Sequence, residues 1–230
     1  MTLDEIGLKY NTDKCSMDHN YLIHYQNYIG HLNPKKLLEM GIYQGASLKL
    51  WYDYFPETQI LGIDLHDYTH LNNDRTQTMA ANCELRTVDE FDNSVINPWL
   101  QKLYNDFPGG RVGLNEIIER HGSSWDIILD DGPHTQRSNQ VMLGYLFPQV
   151  KSGGIYIIED LHTSYGPTDV YNSYPYTDKN TLWMLQNYQQ TGQVHSDFIT
   201  RDEIQFLEAN IKEVFIERGK NSEIAFIIKK

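Results

Sequence analysis

Residues 125–165 read WDIILDDGPHTQRSNQVMLGYLFPQVKSGGIYIIEDLHTSY, and the fold is decided in this stretch. Two apolar runs, Asp126-Ile127-Ile128-Leu129 and Ile155-Tyr156-Ile157-Ile158, each stop at acid: Asp130-Asp131 after the first, Glu159-Asp160 after the second. Between them Val141, Leu143, Tyr145, Leu146, Phe147 and Val150 have helical spacing. Strand, helix, strand is the unit that builds parallel sheets, because parallel neighbours need a long crossover. Such strands present their carboxyl ends at one edge, where α/β proteins bind ligands. Asp131, His134, Glu159 and Asp160 are therefore expected to converge on one site. Asp130 is expected to point away from Asp131, since side chains alternate along a strand.

Composition sets the outer limits. A chain of 230 residues suits one large α/β domain with decorations. A formal charge of −12 argues against a nucleic-acid backbone or an anionic membrane as the main partner. Cys15 and Cys83 lie far apart and have no metal-binding spacing, so a reducing compartment with ordinary thiols is expected. The start, MTLDEIGLKY, has acids where a signal peptide is basic and then apolar, and no apolar run approaches the roughly 20 residues of a membrane span. A soluble cytoplasmic protein is the expectation.

Upstream, Tyr21, Leu22, Tyr25, Tyr28 and Ile29 predict a helix over about residues 20–31, after a loop at Tyr10-Asn11-Thr12-Asp13-Lys14. Lys36 to Met40 reads as a first buried strand. It enters Gly41-Ile42-Tyr43-Gln44-Gly45-Ala46-Ser47, and helical spacing resumes with Leu48, Leu50, Trp51, Tyr54 and Phe55. A strand, a glycine turn and a helix start form a nucleotide-type site, with backbone free to approach a ligand and unpaired N–H groups at the helix end. Gln59 to Asp64 is the next strand, and its terminal acid is placed to hold both hydroxyls of a ribose.

The glycine loop departs from the dinucleotide pattern G-x-G-x-x-G. Its E-x-G-x-x-x-G-x-S form, Glu39, Gly41, Gly45 and Ser47, followed by Asp64, resembles motifs I and II of class I S-adenosylmethionine-dependent methyltransferases. The plain structural alternative is that Gly41 and Gly45 only shape a tight turn and Asp64 only ends a strand.

Downstream, residues 65–82 read as a polar loop and Cys83 to Val88 as a third strand on the sheet edge. Short helical patterns cover residues 100–104 and 114–121, split by the breaker Phe107-Pro108-Gly109-Gly110. The stretch 65–124 is long for one crossover, so an insertion is expected in it. Residues 166–179, rich in Tyr and Pro, follow the second acid-tipped strand and suit a lid or substrate wall. Helical spacing returns at Thr181. Residues 213–217 and 224–228 form a hairpin about Arg218-Gly219-Lys220-Asn221-Ser222.

The acid cluster has a chemistry of its own. Asp131, Glu159 and Asp160 are hard oxygen ligands with no cysteine nearby, which favours Mg²⁺ over zinc. Methylation of an alcohol profits from a divalent ion that acidifies the hydroxyl and from a base that takes its proton. His134 follows Asp131 closely, and imidazole titrates in a suitable range for a general base. The competing reading makes Asp130-Asp131-Gly132-Pro133 a simple turn and His134 a surface or capping histidine.

Together, Leu129-Asp130-Asp131-Gly132-Pro133-His134 and residues 153–165, GGIYIIEDLHTSY, resemble the metal-dependent sugar O-methyltransferases of macrolide biosynthesis. The type is that of mycinamicin VI 2''-O-methyltransferase and demethylmacrocin O-methyltransferase. The resemblance runs from about Gly7 to Tyr165 and includes Asn11-Thr12-Asp13-Lys14. It implies a Rossmann-like class I methyltransferase fold: a mostly parallel seven-stranded sheet, a C-terminal antiparallel hairpin and helices on both faces. It implies S-adenosyl-L-methionine as donor, Mg²⁺ on Asp131, Glu159 and Asp160, and His134 as general base. Thr12, Asp13 and the tyrosines after them would lie near donor or acceptor, with Asp89 a stand-in for an adenine contact. A glycosylated small molecule or sugar is the implied substrate, with a homo-oligomer as assembly.

One domain is expected over residues 1–230, without the separate N-terminal domain of the larger macrolide enzymes. Residues 1–33 would cap the site, and 161–180 would be the lid. Rival readings are a metal-dependent catechol-type O-methyltransferase, a hydroxylase-like relative, and a binding protein that keeps the fold without catalysis.

Overall fold

Lys36–Met40 (β1), Gln59–Asp64 (β2), Thr76–Ala80 (β3), Trp125–Asp130 (β4), Val150–Ile158 (β5), Ile211–Arg218 (β6) and Glu223–Lys229 (β7) form one sheet, in the order β3-β2-β1-β4-β5-β7-β6. The first five strands pair in parallel, while β7 runs antiparallel to both β5 and β6. The structure is a computed structural model that describes residues 1–92, 101–102, 104–165 and 178–230. The order of parallel strands reverses at β1, so the crevice between β1 and β4 is a topological switch point.

Alternation along the central strands feeds two cores. Leu38, Met40, Ile128, Tyr156 and Ile158 face one side, and Leu37, Ile127, Leu129, Ile155 and Ile157 face the other. The first side is covered by Leu114–His121, Gln136–Leu146, Thr181–Thr191 and Arg201–Asn210. The second is covered by Leu3–Tyr10 (α1), Leu22–Tyr28 (α2) and Ala46–Tyr54 (α3). Val88–Asp92 (α4) packs Phe91 with Leu85 and Tyr104 in a small separate cluster. Leu114–His121 is α5, Gln136–Leu146 α6, Thr181–Thr191 α7 and Arg201–Asn210 α8. Burying each large aliphatic or aromatic side chain contributes about 1.5–3 kcal/mol, which makes the two-faced central strands the main source of stability.

Helix starts are written locally. Thr2 with Glu5, Thr135 with Ser138, and Thr200 with Glu203 form reciprocal caps ahead of α1, α6 and α8. The lower end of β4 is tied down as well: Asp126 Oδ2 accepts the backbone N–H of Lys35 (2.9 Å) and Lys36 (2.8 Å).

Two expectations change. The third strand is β3 at Thr76–Ala80, inside the stretch expected to be a polar loop, and residues 83–87 of the expected strand are a turn leading into α4, which begins at Val88. β3 is an edge strand, paired only with β2, so Thr76-Gln77-Thr78-Met79-Ala80 needs no continuous apolar run. The apolar Cys83 and Leu85 are buried among core residues instead. The sequence reading also misses α8, although its capping box and the spacing of Ile204 and Leu207 are signals for it. The predicted lid largely coincides with residues 166–177, which lie outside the described residues, as does part of the predicted helix at 100–104.

Candidate functional site

At the carboxyl edge of the switch point, β1 and β4 come so close that only glycine fits. A Cβ on Gly41 would lie 1.9 Å from the carbonyl oxygen of Asp131, and Gly41 has φ +96°. The backbone N–H of Asp131 donates to Met40 O (2.9 Å), and that of Glu159 to Asp130 O (3.0 Å). Each acid pair thus begins while its strand is still held by its neighbour. Asp130 turns into the protein interior, where its Oδ2 accepts from Asn139 of α6 (3.0 Å), as alternation predicts. Its pKa is pushed up to about 6, chiefly by burial.

Asp131, His134 and Asp160 meet. One candidate ligand atom from each lies within 4.8 Å of the others. His134 Nε2 is 3.4 Å from Asp160 Oδ2 and 3.8 Å from Asp131 Oδ1. His134 and Asp160 both have φ +55°, a left-handed backbone that side chains other than glycine rarely take. Tyr21 donates to Asp160 Oδ1 (2.8 Å), and His19 and His162 stand 3.9 and 3.8 Å from the same oxygen. Asp160 is largely buried, which works against its charge, yet His134, His19 and the Tyr21 hydroxyl hold its pKa below the ordinary carboxylate value.

Glu159 is engaged differently. Its Oε1 accepts the hydroxyl of Tyr25, and its Oε2 accepts Lys14 Nζ at 2.8 Å. Lys14, from the segment between α1 and α2, also donates to Asp131 Oδ2 and sits 4.0 Å from Glu39 Oε1. The Lys14 ammonium is fully enclosed. Burial opposes its charge, but Asp131, Glu159 and Glu39 outweigh burial and hold its pKa well above normal. For Asp131 and Glu159 burial dominates and raises both, with Lys14 the main opposing influence.

Next to this cluster lies a cavity of about 410 Å³. Asn11, Thr12, Asp13, Lys14 and Cys15 line one side; Ile42, Tyr43, Gln44, Ala46 and Ser47 line the other, with Asp131 at its edge. Four predicted residues, Thr12, Asp13, Ser47 and Asp131, therefore line the cavity directly. Gly45 precedes α3 with φ +73°, and a Cβ there would strike the end of Leu71. Asp64 holds the loop from its own strand end: Oδ2 accepts the N–H of Ile42 (3.0 Å) and Tyr43 (3.4 Å), and Oδ1 accepts that of His66 (3.1 Å). Glu39 is buried beneath α3, where Trp51 Nε1 donates to it (3.1 Å), and burial pushes its pKa up to about 8. Asp89 is corrected. The third strand ends at Ala80, and Asp89 lies beyond it, exposed on α4, so it does not occupy the strand-end position expected for it.

The residues suit the two groups that the sequence implied. Two carboxylates, from the loops after β4 and β5, with an imidazole beside them, fit a hard divalent cation with coordination positions to spare and a base next to it. A polar cavity walled by a glycine loop and the start of α3 fits a nucleoside. Sequence reasoning misses Lys14 and His19, and it points to Tyr21 and Tyr25 only collectively, as tyrosines near donor or acceptor, without giving them acid partners. Lys14 is visible only as part of Asn11-Thr12-Asp13-Lys14, and the two tyrosines have the helical spacing of core residues.

No family model matches the chain. Among curated proteins, it is 32% identical over 174 residues to 8-demethyl-8-(2-methoxy-alpha-L-rhamnosyl)-tetracenomycin-C 3'-O-methyltransferase of Streptomyces olivaceus, covering 72% of this chain and 38% of that protein. It is 28% identical to mycinamicin VI 2''-O-methyltransferase of Micromonospora griseorubida, covering 96% and 53%. It is 31% identical to demethylmacrocin O-methyltransferase of Streptomyces fradiae, covering 72% and 38%. The chain thus spans about half, or less, of the length of these relatives. Among solved structures, the mycinamycin-pathway methyltransferase MycE, in complex with Mg, SAH and mycinamycin VI, superposes with a TM-score of 0.72 at 24% identity, covering 100% of this chain and 53% of that one. The fold is that of MycE, and the chain is a relative of the sugar O-methyltransferases of the mycinamicin VI and demethylmacrocin type.

Proposed function

We propose that the chain transfers a methyl group from S-adenosyl-L-methionine to a sugar hydroxyl of a glycosylated small molecule, with a divalent cation, Mg²⁺ by preference, at the acid cluster. The observation that carries this reading is the convergence of Asp131, His134 and Asp160 within 4.8 Å, beside the cavity that the glycine loop walls. The names of the curated relatives support a sugar as acceptor, one of them specifying a rhamnosyl 3'-oxygen.

In this reading Asp131 and Asp160 would hold the cation, with Glu159 behind them. A bound divalent ion lowers the pKa of a hydroxyl it coordinates, and the bound donor supplies an electrophilic methyl. His134 would receive the acceptor's proton at Nε2, the nitrogen that faces both carboxylates. Gly41, Gly45 and Ser47 would shape the donor site, Asp64 would fix its loop, and Glu39 would act from below through Trp51. Thr12 and Asp13 line the cavity and would touch donor or acceptor. Asp89, exposed on α4, is given no role in this reading.

The free and buried thiols of Cys15 and Cys83 agree with a cytoplasmic setting, and among the described residues no helix is long and apolar enough to cross a membrane. A homo-oligomer is the expected assembly, read out by light scattering in solution.

The test is transfer of labelled methyl from the donor to a panel of glycosylated macrolides and free deoxysugars, with Mg²⁺ or with chelator. Transfer that needs the cation and is lost in Asp131→Asn supports the proposal. Failure of the protein to bind S-adenosylhomocysteine at all would overturn it.

A further inference from the structure

The site contains a cation of its own. Lys14 is among the largest fully buried side chains of the protein, and it lies within an acid cluster that the proposed function assigns to a metal. Four carboxylates crowd there: Glu39, Asp131, Glu159 and Asp160. Asp160 is served by Tyr21 and the surrounding histidines, and Glu39 by Trp51. Glu159 has one neutral donor, Tyr25, and one cationic donor, Lys14. A carboxylate this buried is costly unless a charge is paired with it.

We infer that Lys14 is the resident counter-ion of Glu159, a positioning residue that neutralises this carboxylate, ties it to Asp131 and pins the N-terminal segment to the strand ends. The bond pattern supports both halves. Lys14 Nζ bridges Glu159 and Asp131, so it fixes the carboxylates that follow β5 and β4 relative to each other. Its own backbone is anchored, since Lys14 O accepts the N–H of Leu22 (3.1 Å) at the start of α2. His19 closes the same segment: its backbone N–H donates to Asp13 O (2.8 Å), and its carbonyl accepts the N–H of Lys220 (2.8 Å). The ammonium thereby joins a cavity wall to the acid cluster. Lys14 compensates Glu159 and one oxygen of Asp131, Oδ2, while Asp131 Oδ1 stays beside His134. The fold then does not depend on metal to neutralise this buried acid.

The inference rests on the reading of Asp131 and Asp160 as cation ligands, and the experiment separates the two. Thermal unfolding is followed in chelator for wild type, Lys14→Met, Glu159→Gln and the double variant. Lys14→Met is expected to lower the Tm by on the order of 10 °C, because it strands a buried charge. The double variant is expected to recover at least half of that loss. Lys14→Arg, which keeps the charge, is expected to stay within a few degrees of wild type and guards against a Lys14→Met protein that does not fold. Losses that simply add in the double variant, or a Lys14→Arg protein as unstable as Lys14→Met, would overturn the counter-ion role. Calorimetric titration of wild type with Mg²⁺ in the presence of S-adenosylhomocysteine reports on the metal alone. No heat of Mg²⁺ binding, with the double-variant rescue intact, removes the metal assignment and leaves the counter-ion role standing. Mg²⁺ binding without rescue does the reverse.

Discussion

Gly41→Ala tests whether the glycine after β1 serves the acid cluster instead of merely turning the chain. The added Cβ would sit 1.9 Å from Asp131 O and 2.7 Å from Asp131 C, both backbone atoms that no rotamer change can move. Ordinary contact begins near 3.4 Å, so β1 and β4 must part by about 1.5 Å at their carboxyl ends. Overpacking of this kind costs roughly 1–3 kcal/mol, and the left-handed backbone at Gly41 adds about 1–3 kcal/mol. At this chain length the expected fall in Tm is roughly 5–20 °C. Asp131 moves with its carbonyl, and a displacement near 1 Å costs on the order of 100-fold in rate. Gly45→Ala is the control: it also has positive φ, but its Cβ meets Leu71 Cδ1 at 2.5 Å, the far end of a flexible side chain. The assay is thermal unfolding by circular dichroism together with methyl transfer by both variants. A Gly41→Ala protein no less stable than Gly45→Ala, and as active as wild type, would refute the reasoning.

His134→Asn keeps a residue type that tolerates positive φ while removing the base, so transfer should fall by about 10²–10⁴-fold, with Tm and S-adenosylhomocysteine binding nearly unchanged. A comparable loss of nucleoside affinity would show that His134 acts in binding instead. Asp126 supplies a pH prediction. Burial opposes its charge, but Lys151 and the N–H groups of Lys36 and Lys35 hold its pKa below the ordinary value. A depressed carboxylate contributes stability that is present above its unfolded pKa and lost as pH falls through the folded one. Asp126→Asn should therefore cost stability at neutral pH and flatten the acid limb of the Tm profile, and a parallel shift at every pH would count against it.

The central strands are legible because burial on both faces writes itself as unbroken apolar runs: β1, β2, β4 and β5 end within a residue of where the sequence places their ends, although β5 begins earlier, at Val150. The acid tips are legible for the same reason, as charge stands out at the end of such a run. β3 is not, since an edge strand with one paired side tolerates Thr-Gln-Thr, and its residues carry no periodic signal. Asp89 fails with it, because its expected place follows from the wrong strand end. Lys14 is hidden by a different cause. A lone lysine in a polar loop reads as solvated, and only the fold reveals that Glu159 and Asp131, more than a hundred residues away, close around it.

Backbone strain gathers where the strands end. Among the described residues six other than glycine have positive φ, and three of them, Tyr43, His134 and Asp160, stand at the carboxyl ends of β1, β4 and β5. Left-handed backbone at such residues costs about 1–3 kcal/mol each, and it persists where function uses the geometry. Packing does not account for Tyr43: its side chain is 76% exposed and lines the cavity. Its N–H reaches Asp64, a bond that any non-proline residue would keep. Tyr43→Asn, better suited to φ +50°, should hold or raise the Tm by a few degrees while weakening binding of S-adenosylhomocysteine or of the glycosylated acceptor. Calorimetry and thermal unfolding on one preparation decide the matter. If the variant loses several degrees and binds both ligands as wild type does, the exposed ring serves the fold, and the strain at Tyr43 has no connection with the site.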